Sequence, residues 1–137
     1  MKPTDAAYLA GFIDGEGSIY AQQHGNGAYT IVLRITNTEQ DVLEWAARML
    51  GGKVYAHPAG KAHWKSGYQL WVGQKPLARV LPDVLPYMKV KHRQAKLMLK
   101  LAALPTHTGG RGGPSTSTPT RERICLQIKA LNRRGQR

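Results

Sequence analysis

The sequence predicts an α+β domain in which helices pack on one face of an antiparallel sheet. Apolar residues recur at helical spacing near both ends of the chain, and strict alternation of apolar and polar residues marks strands between them. The coarse order is helix, two strands, helix, two strands and then helices, which is typical of this class. A chain of 137 residues is long enough for a substantial core. We therefore expect a single domain over residues 1–137.

The first helix is predicted to begin at a cap formed by Thr4 or Asp5 and to run to about Gly15. About 100° of rotation per residue gathers its large apolar side chains on one side and leaves the other side nearly bare. The bare side comprises Ala7, Ala10, Gly11, Asp14 and Gly15. Each glycine inside a helix costs about 1 kcal/mol relative to alanine. Two glycines therefore need a packing reason, such as the close approach of a second copy of the helix.

An acid follows at the end of this helix. Gly17 is predicted to close the helix in the left-handed conformation, which leaves Glu16 at the carboxyl end. The helix macrodipole disfavours a carboxylate there unless a cation lies nearby. A bound divalent metal would resolve this conflict, and two copies of Glu16 brought together about a two-fold axis would need it more. The alternative is an ordinary surface glutamate before a glycine turn.

Two strands are predicted next, over residues 18–23 and 28–37, with an Asn-Gly pair at the turn that suits a type I′ hairpin. The residues of the second strand expected to face the core are Tyr29, Ile31, Leu33 and Ile35. The polar residues that remain for contact with a ligand are Tyr20, Gln22, His24, Asn26, Thr30, Arg34 and Thr36. Such a row can enter a DNA major groove, where Arg and Gln pair with guanine and adenine edges. The alternation alone fits an ordinary polar sheet face better.

The middle of the chain predicts a helix and a second hairpin. The helix is expected to open at a capping box formed by Thr38 and Asp41 and to stop at Gly51. The hairpin spans residues 53–57 and 67–73, with a long basic loop between its strands. Its register is not fixed by the sequence, and the residues expected to face outward are Lys53, Tyr55, His57, Lys65 and Gln69.

Helices complete the chain. One is predicted to begin near Pro76 and to break near Pro82 and at Pro86, since proline interrupts the helical hydrogen-bond ladder. Residues 91–104 form a convincing amphipathic pattern, and residues 121–131 form another.

Residues 106–120 are rich in Gly, Ser, Thr and Pro, which predicts a mobile loop. The basic tail at 132–137, with Arg133 and Arg134, suits phosphate contacts.

The charge distribution favours a nucleic-acid partner. The formal net charge is +12, and the chain has no acid between Glu44 and Asp83 or between Asp83 and Glu122. Basic faces also occur in ribosomal proteins and on membrane surfaces. However, no apolar run approaches the roughly 18 residues of a membrane span, and the N-terminus lacks a signal-peptide core. We expect a soluble, intracellular protein with no membrane partner and no small-molecule cofactor.

Cysteine and histidine point to no further site. Cys125 is the only cysteine, which excludes an internal disulfide, and its helical neighbours predict a small buried residue. The five histidines lack zinc-ligand spacing.

The nonamer LAGFIDGEG at residues 9–17 closely resembles the signature of the LAGLIDADG homing endonucleases. Residues 86–100 and 127–132 are similar to segments of the single-motif, chloroplast-intron-encoded branch of that family. The resemblance implies the family's αββαββα fold, in which the sheet forms a DNA-binding saddle. A single motif also implies a homodimer, in agreement with the bare helix side. The implied interface is Ala7, Ala10, Gly11, Asp14 and Gly15.

The resemblance further implies metal-dependent cutting of both strands of a long, pseudo-palindromic duplex DNA. It assigns the metal, Mg²⁺ or another divalent ion such as Mn²⁺, to Glu16 and to the backbone carbonyl of Gly15. It assigns water orientation to Asn37, where the family has glutamine, and charge stabilisation at the phosphate to Lys91. Glu16 is one methylene longer than the usual aspartate, a change that the family tolerates.

Two alternatives stay open. A non-cleaving nucleic-acid-binding module of the same fold, either an intron RNA-splicing maturase or a DNA-binding regulator, would not need an acid that faces phosphates. A basic structural RNA-binding protein would explain the charge but not the nonamer. Asp14, in the middle of the bare side, is predicted to be hydrogen-bonded to backbone across or beside the dimer interface.

Overall fold

The computed structural model describes residues 1–25, 29–57, 67–104 and 119–135. Its elements follow the predicted order. They are α1 (Pro3–Glu16), β1 (Gly17–Gln23), β2 (Tyr29–Asn37), α2 (Gln40–Leu50), β3 (Lys53–His57), β4 (Gly67–Val72), α3 (Gln74–Val84), a 3₁₀ turn (Leu85–Tyr87), α4 (His92–Ala102) and α5 (Pro119–Gly135). The α+β class predicted from the sequence is confirmed.

The four strands form one antiparallel sheet in the order β1-β2-β4-β3. Each hairpin pairs its own two strands, and β2 pairs with β4 in the middle. Ser18 pairs with Arg34, Arg34 with Trp71, and Trp71 with Lys53. One row of residues therefore crosses all four strands, and the register of the second hairpin, which the sequence left open, is defined.

The core lies between the sheet and the helices. The four residues of β2 predicted to face inward are buried, which are Tyr29, Ile31, Leu33 and Ile35. They join buried side chains from all five helices, including Leu9 and Ile13 of α1, Leu43 and Leu50 of α2, Leu77 and Leu81 of α3, Met98 and Leu101 of α4, and Ile124 and Ile128 of α5. Because side chains alternate along a strand, the polar residues of β2 lie on the opposite face.

The start and end of α1 differ from the prediction. Lys2 is the N-cap and no side chain caps the helix, so the predicted caps at Thr4 or Asp5 are wrong. Pro3 suits the first turn because the N–H that it lacks would be unpaired there anyway. The predicted left-handed Gly17 is also wrong, since its φ of −89° and ψ of 161° are extended. A Cβ on Gly17 would lie 2.8 Å from the carbonyl oxygen of Ile13, so glycine permits a close approach.

The predicted capping box of α2 is also wrong. Glu39 is the N-cap and no side chain, including those of Thr38 and Asp41, caps the helix. Instead, Asn37 Oδ1 accepts a 2.8 Å hydrogen bond from the Glu39 backbone N–H, a local turn that precedes the helix. The predicted stop is confirmed, because Gly51 has a φ of 80° in the left-handed region.

The predicted break of α3 near Pro82 is wrong, because the helix continues through Pro82 to its end at Val84. A proline near the end of a helix removes one backbone hydrogen bond and crowds the carbonyl group four residues earlier, and α3 continues for only two residues beyond it. The chain leaves the α-helical conformation in the 3₁₀ turn, which contains Pro86 as predicted.

The last helix is longer than predicted at both ends. It includes the final two residues of the predicted loop and residues 132–135 of the predicted tail, while residues 105–118 lie outside the described part. Asn132 Nδ2 donates a 2.9 Å hydrogen bond to the carbonyl oxygen of Ile19, and Gln94 Nε2 donates a 3.2 Å bond to Asn132 Oδ1. Asn132 therefore joins α5 to α4 and β1, which keeps this segment helical instead of free.

Candidate active site and nucleic-acid interface

The carboxyl end of α1 carries two acids that lie two residues apart in different surroundings. Glu16 is the last helical residue, and its side chain is exposed, whereas Asp14 is half-buried. Gly17 follows directly as the first residue of β1 and pairs with Ile35 of β2. Glu16 therefore lies where the helix meets the sheet, with no linker between them.

Asp14 is bound to the backbone of the segment that precedes α4. Its Oδ2 accepts a 2.7 Å hydrogen bond from the Lys89 N–H, and its Oδ1 accepts a 3.0 Å bond from the Lys91 N–H. Burial alone would raise the pKa of Asp14. The backbone donors of Lys89, Lys91 and Val90 and the charge of Lys91 outweigh burial, so that the pKa lies below its ordinary value. The predicted hydrogen bonding of Asp14 to backbone is confirmed.

Lys91 also contacts α1 through its side chain. Its Nζ donates a 2.6 Å hydrogen bond to the backbone carbonyl oxygen of Asp14. Burial lowers the pKa of Lys91, and the nearby carboxylates of Asp14 and Glu16 oppose this effect. Two of the three residues predicted to act in catalysis, Glu16 and Lys91, therefore interact electrostatically at one end of α1.

Asn37, the third predicted catalytic residue, is the last residue of β2. It lies two residues beyond Ile35, the partner of Gly17, so the end of β2 lies next to the start of β1. Its Oδ1 already accepts the Glu39 N–H. The side-chain NH₂ of Asn37 is thus the group that could hold a water molecule.

The bare side of α1 is open at three positions, and it is covered within the protomer at Ala10 and at half-buried Asp14. Ala7, Gly11 and Gly15 are exposed, and a Cβ built on Gly11 or Gly15 would meet no atom within 4 Å. Ala10, in contrast, is 0% exposed and belongs to the core of the protomer. Its place in the predicted dimer interface is wrong, because the core covers the helix surface further round than the apolar side chains alone indicated.

The outer sheet face, opposite the core, brings together most of the residues predicted to contact DNA. Gln22 pairs with Thr30, whose Oγ1 lies 2.9 Å from His24 Nε2. Thr36 pairs with Gln69, which in turn pairs with Tyr55. The side chains of the outer sheet face are Ser18, Tyr20, Gln22, Thr30, Val32, Arg34, Thr36, Lys53, Tyr55, His57, Gln69 and Trp71, with His24 at its end.

Four other residues predicted to contact DNA are not part of the described outer sheet face. Asn26 and Lys65 lie outside the described residues. Arg133 is exposed on α5, which packs on the core side of the sheet, so its predicted phosphate contact stays a prediction and would come from a helix. Arg134 belongs to the same helix, and its side chain lies outside the described part.

Acidic residues avoid the described strands altogether. Seven of the eight lie in helices and the eighth, Glu39, is the N-cap of α2. The strands contribute Arg34, Lys53 and His57 to the outer sheet face. Its electrostatic character therefore suits a polyanion.

Trp71 is a residue of this face that sequence reasoning missed. The guanidinium carbon of Arg34 lies 5.4 Å from the centre of the Tyr20 ring and 5.6 Å from the centre of the Trp71 ring. Both distances are within the range of cation–π attraction. Trp71 alternates with buried Leu70 and Val72, which could have placed it on the outer face, but its contact with Arg34 depends on a strand register that the sequence left open.

Comparison with known proteins agrees with this arrangement. Residues 3–82 match the family model of the LAGLIDADG-like domain, which is more than half of the chain. The chain belongs to the LAGLIDADG homing endonuclease family. The DNA endonuclease I-CreI of Chlamydomonas reinhardtii is 35% identical to this LAGLIDADG protein over 101 residues, which are 69% of the chain and 60% of the length of I-CreI.

Solved structures show the same fold. The homing endonuclease I-CvuI in complex with its target matches this LAGLIDADG protein with a TM-score of 0.68 at 23% identity, over 94% of this chain and 82% of the I-CvuI chain. The archaeal intron-encoded homing endonuclease I-Vdi141I, complexed with DNA, matches with a TM-score of 0.61 at 20% identity, over 94% and 97% of the two chains. The family resemblance drawn from the nonamer is confirmed.

Potential metal ligands and nucleophiles do not form a separate site among the described residues. No group of three or more His, Cys, Asp or Glu side chains converges there. Cys125 is buried as predicted, and burial raises the pKa of its thiol, which disfavours the reactive thiolate. In the described ranges, no helix has the length and apolar character needed to cross a membrane.

Proposed function

We propose that this LAGLIDADG protein is a site-specific DNA endonuclease that acts as a homodimer and uses a divalent metal. One observation carries the proposal: the exposed carboxylate of Glu16 ends α1 directly before the first strand of the acid-free sheet, within electrostatic range of the Lys91 ammonium. Relatives of the family include a named DNA endonuclease and homing endonucleases solved with DNA targets.

The outer sheet face supports duplex DNA as the ligand. A twisted antiparallel ribbon can lie in a major groove, where its side chains reach the edges of the bases. Glutamine and arginine occur there together with hydroxyl and aromatic side chains, as at Gln22, Thr30, Arg34 and Tyr55. A row that crosses all four strands also gives a reading surface wide enough for several base pairs.

The exposed glycines of α1 support the homodimer. Gly11 and Gly15 lie one helical turn apart with open space where a side chain would be, so another backbone can approach closely. A two-fold axis near this surface would bring the two Glu16 residues together and direct the two outer sheet faces to opposite halves of one DNA site. A pseudo-palindromic target follows from that symmetry.

The oxygen donors at the end of α1 fit a hard divalent cation. The Glu16 carboxylate and the Gly15 backbone carbonyl would hold Mg²⁺ or Mn²⁺, which prefer oxygen ligands. When bound, such a cation supplies positive charge at the scissile phosphate and lowers the pKa of the attacking water. Its charge also offsets the unfavourable position of a carboxylate at a helix carboxyl end.

Lys91 and Asn37 would supply the remaining catalytic roles. Lys91 contacts the end of α1, and Asn37 ends β2 next to the start of β1. The Lys91 Nζ, held by the Asp14 carbonyl, would place a fixed positive charge where negative charge develops on the phosphate. The NH₂ group of Asn37 would orient a water molecule, since its Oδ1 is already engaged.

Cleavage of a randomised duplex library in the presence of Mg²⁺ tests the function, because the library contains many candidate targets at once. Fragments cut by the wild type are sequenced, and the recovered site is then used with Glu16→Gln and with Glu122→Gln as a matched control on the exposed surface of α5. We expect cutting of a pseudo-palindromic site by the wild type and by Glu122→Gln, and binding without cutting by Glu16→Gln.

Specific binding by the wild type without cutting in either Mg²⁺ or Mn²⁺ would contradict the endonuclease. That result would point instead to a non-cleaving binding module. Equal cutting by Glu16→Gln would reject Glu16 as the metal-binding carboxylate. Sedimentation of the free protein as a monomer at micromolar concentration would contradict the homodimer.

A further inference from the structure

We propose that Arg34 reads a guanine in the inner part of each half-site, with its guanidinium held in place by Tyr20 and Trp71. This inference rests on the proposed DNA-binding function of the outer sheet face. It adds a base and a position to a target that is otherwise unspecified.

The three side chains come from three strands and meet at the middle of the sheet. Arg34 of β2 pairs directly with Trp71 of β4 and lies diagonally from Tyr20 of β1. The ring centres of Tyr20 and Trp71 are 6.4 Å apart and the rings are inclined at 73°. The guanidinium carbon lies 5.4 and 5.6 Å from the two ring centres, so the cation contacts both rings at once.

The tryptophan that holds Arg34 is itself fixed. Trp71 Nε1 donates a 3.2 Å hydrogen bond to Gln69 Oε1, two residues earlier on the same strand. All of Tyr20, Arg34 and Trp71 are half-buried, in contrast to the exposed Lys53 at the edge of the same row. A long side chain ordered before binding loses less conformational entropy when the DNA arrives.

The contacts that order Arg34 leave its hydrogen-bonding capacity available. Cation–π attraction uses the charge of the guanidinium and the faces of the rings. Among the described residues, Arg34 forms no hydrogen bond or ion pair, and the described strands contain no carboxylate that could compete for it. Its N–H donors, which are arranged as a fork, therefore remain free for a ligand.

Guanine matches such a fork better than the other bases do. In the major groove, guanine presents two adjacent acceptors, N7 and O6, and arginine binds both at once. A phosphate would also accept two hydrogen bonds, but Arg34 lies in the middle of the sheet, and groups at the rim are better placed for the DNA backbone. Lys53, on the edge strand β3, is such a rim residue.

The position of the guanine follows from the strand register. Arg34 is opposite Ser18, only two residues beyond Glu16. The pair Gln22 and Thr30 lies four residues further along β1, which is about 13 Å at 3.3 Å per residue. Arg34 therefore contacts a base pair near the cut phosphates, and Gln22 and Thr30 contact base pairs further out.

Binding selection from randomised duplex DNA in divalent-free buffer tests the inference, because it requires no cutting. The wild-type pool should show guanine at one symmetry-related pair of inner positions. In the Arg34→Ala pool, guanine should be lost at that pair and the outer preferences should persist. On the selected site, the affinity of Arg34→Ala should fall roughly tenfold or more, as expected for one bidentate arginine contact.

Two further variants separate base reading from a structural role. Arg34→Gln should shift the preference at the same positions from guanine toward adenine, which glutamine binds through N6 and N7. Trp71→Leu retains Arg34 but removes one ring, and should reduce the guanine preference without replacing it by another base.

Lys53→Ala is the matched control in the same row. It should weaken binding to all sequences to a similar degree and reduce the salt dependence, as the loss of a phosphate contact does. The assignment of Arg34 is overturned if guanine is still enriched in the Arg34→Ala pool. It is also overturned if Arg34→Ala weakens binding to all sequences equally, as Lys53→Ala does. A wild-type pool with no enriched sequence would instead overturn the site-specific function itself.

Discussion

Asp14 and Glu16 are two carboxylates at one end of one helix, and their surroundings differ: Asp14 is bound within the protomer, whereas Glu16, the proposed metal ligand, is exposed. Asp14 receives backbone N–H groups on both of its oxygens, and it joins α1 to the segment before α4. Glu16, two residues later, is exposed and forms no hydrogen bond or ion pair with the described residues. A carboxylate whose bonds are all made inside the protomer serves the fold, whereas an exposed one at an unfavourable helix end is available to a metal and a phosphate.

The largest expected effect is on cleavage by Glu16→Gln. The rate should fall roughly a thousandfold or more, because the amide cannot hold a divalent cation as a carboxylate does. The free energy of unfolding should change by less than about 0.5 kcal/mol, as for an exposed side chain. Single-turnover kinetics and chemical denaturation measure the two quantities. Loss of stability and activity together would show that Glu16 is structural, and the contrast with Asp14 would disappear.

Asp14→Asn should show the opposite behaviour. An amide has one acceptor oxygen, so one of the N–H groups of Lys89 and Lys91 would face an NH₂ group. Leaving a half-buried donor unpaired costs about 1–3 kcal/mol, which urea denaturation would measure. Asp5→Asn, in the first turn of the same helix, is the control and should cost less than about 1 kcal/mol, because it loses only the favourable interaction of its charge with the helix dipole. Cleavage by Asp14→Asn should also slow, because the segment that carries Lys91 loses its hydrogen bonds to α1. Equal stability of Asp14→Asn and Asp5→Asn would refute the structural role of Asp14.

Acid should destabilise the wild type through Asp14. Its pKa in the folded protein is below its ordinary value of 3.8, so its stabilisation is fully present above that value and is lost as the pH falls through the folded pKa. One group contributes at most about 1.4 kcal/mol per pH unit. Denaturation at several pH values below 4.5 should show a shallower loss for Asp14→Asn than for the wild type. Parallel curves would mean that other carboxylates account for the acid sensitivity.

The smallest expected effect is that of Gly11→Ala on protomer stability and dimer association. Its sign indicates whether Gly11 lies in the dimer interface. In an isolated protomer, alanine would stabilise the helix by up to about 1 kcal/mol, because the space around Gly11 is open. If a second helix packs against Gly11, the added methyl group should weaken the dimer instead. Sedimentation at several concentrations, with Ala7→Gly as a comparison on the same side of α1, measures the shift. Unchanged association with a stabilised protomer would exclude Gly11 from the interface.

The sequence predicted best what depends on a repeating pattern. The alternation of Tyr29, Ile31, Leu33 and Ile35 identified β2 and its buried face, since a strand has only two faces. The nonamer located Glu16 because its residues are contiguous. The predicted caps at Thr4 and Thr38 were wrong. Which group bonds a free N–H at the start of a helix depends on backbone geometry, and residue type alone does not determine that geometry.

Contacts between distant segments were harder to predict. The donors to Asp14 were expected to be backbone groups, but their identity as Lys89 and Lys91 depends on a fold that brings together residues 75 and 77 positions apart. The partnership of Arg34 with Trp71 depends likewise on the register between β2 and β4, two strands that are separated in the chain by α2 and β3. Ala10 was misplaced because helical angle alone does not show how far the core extends around α1.

The direct step from Glu16 to Gly17 has a consequence for the spacing of the target. With no flexible residue between α1 and β1, each reading surface is rigidly fixed to the helix that is proposed to meet its partner. One extra base pair at the centre of the site would move the half-sites about 3.4 Å apart and turn them by roughly 35° relative to each other. A protein with a hinge between α1 and β1 could adjust to the new spacing, but we expect that this protein cannot. Its target should tolerate substitution of single bases far better than insertion or deletion of one central base pair.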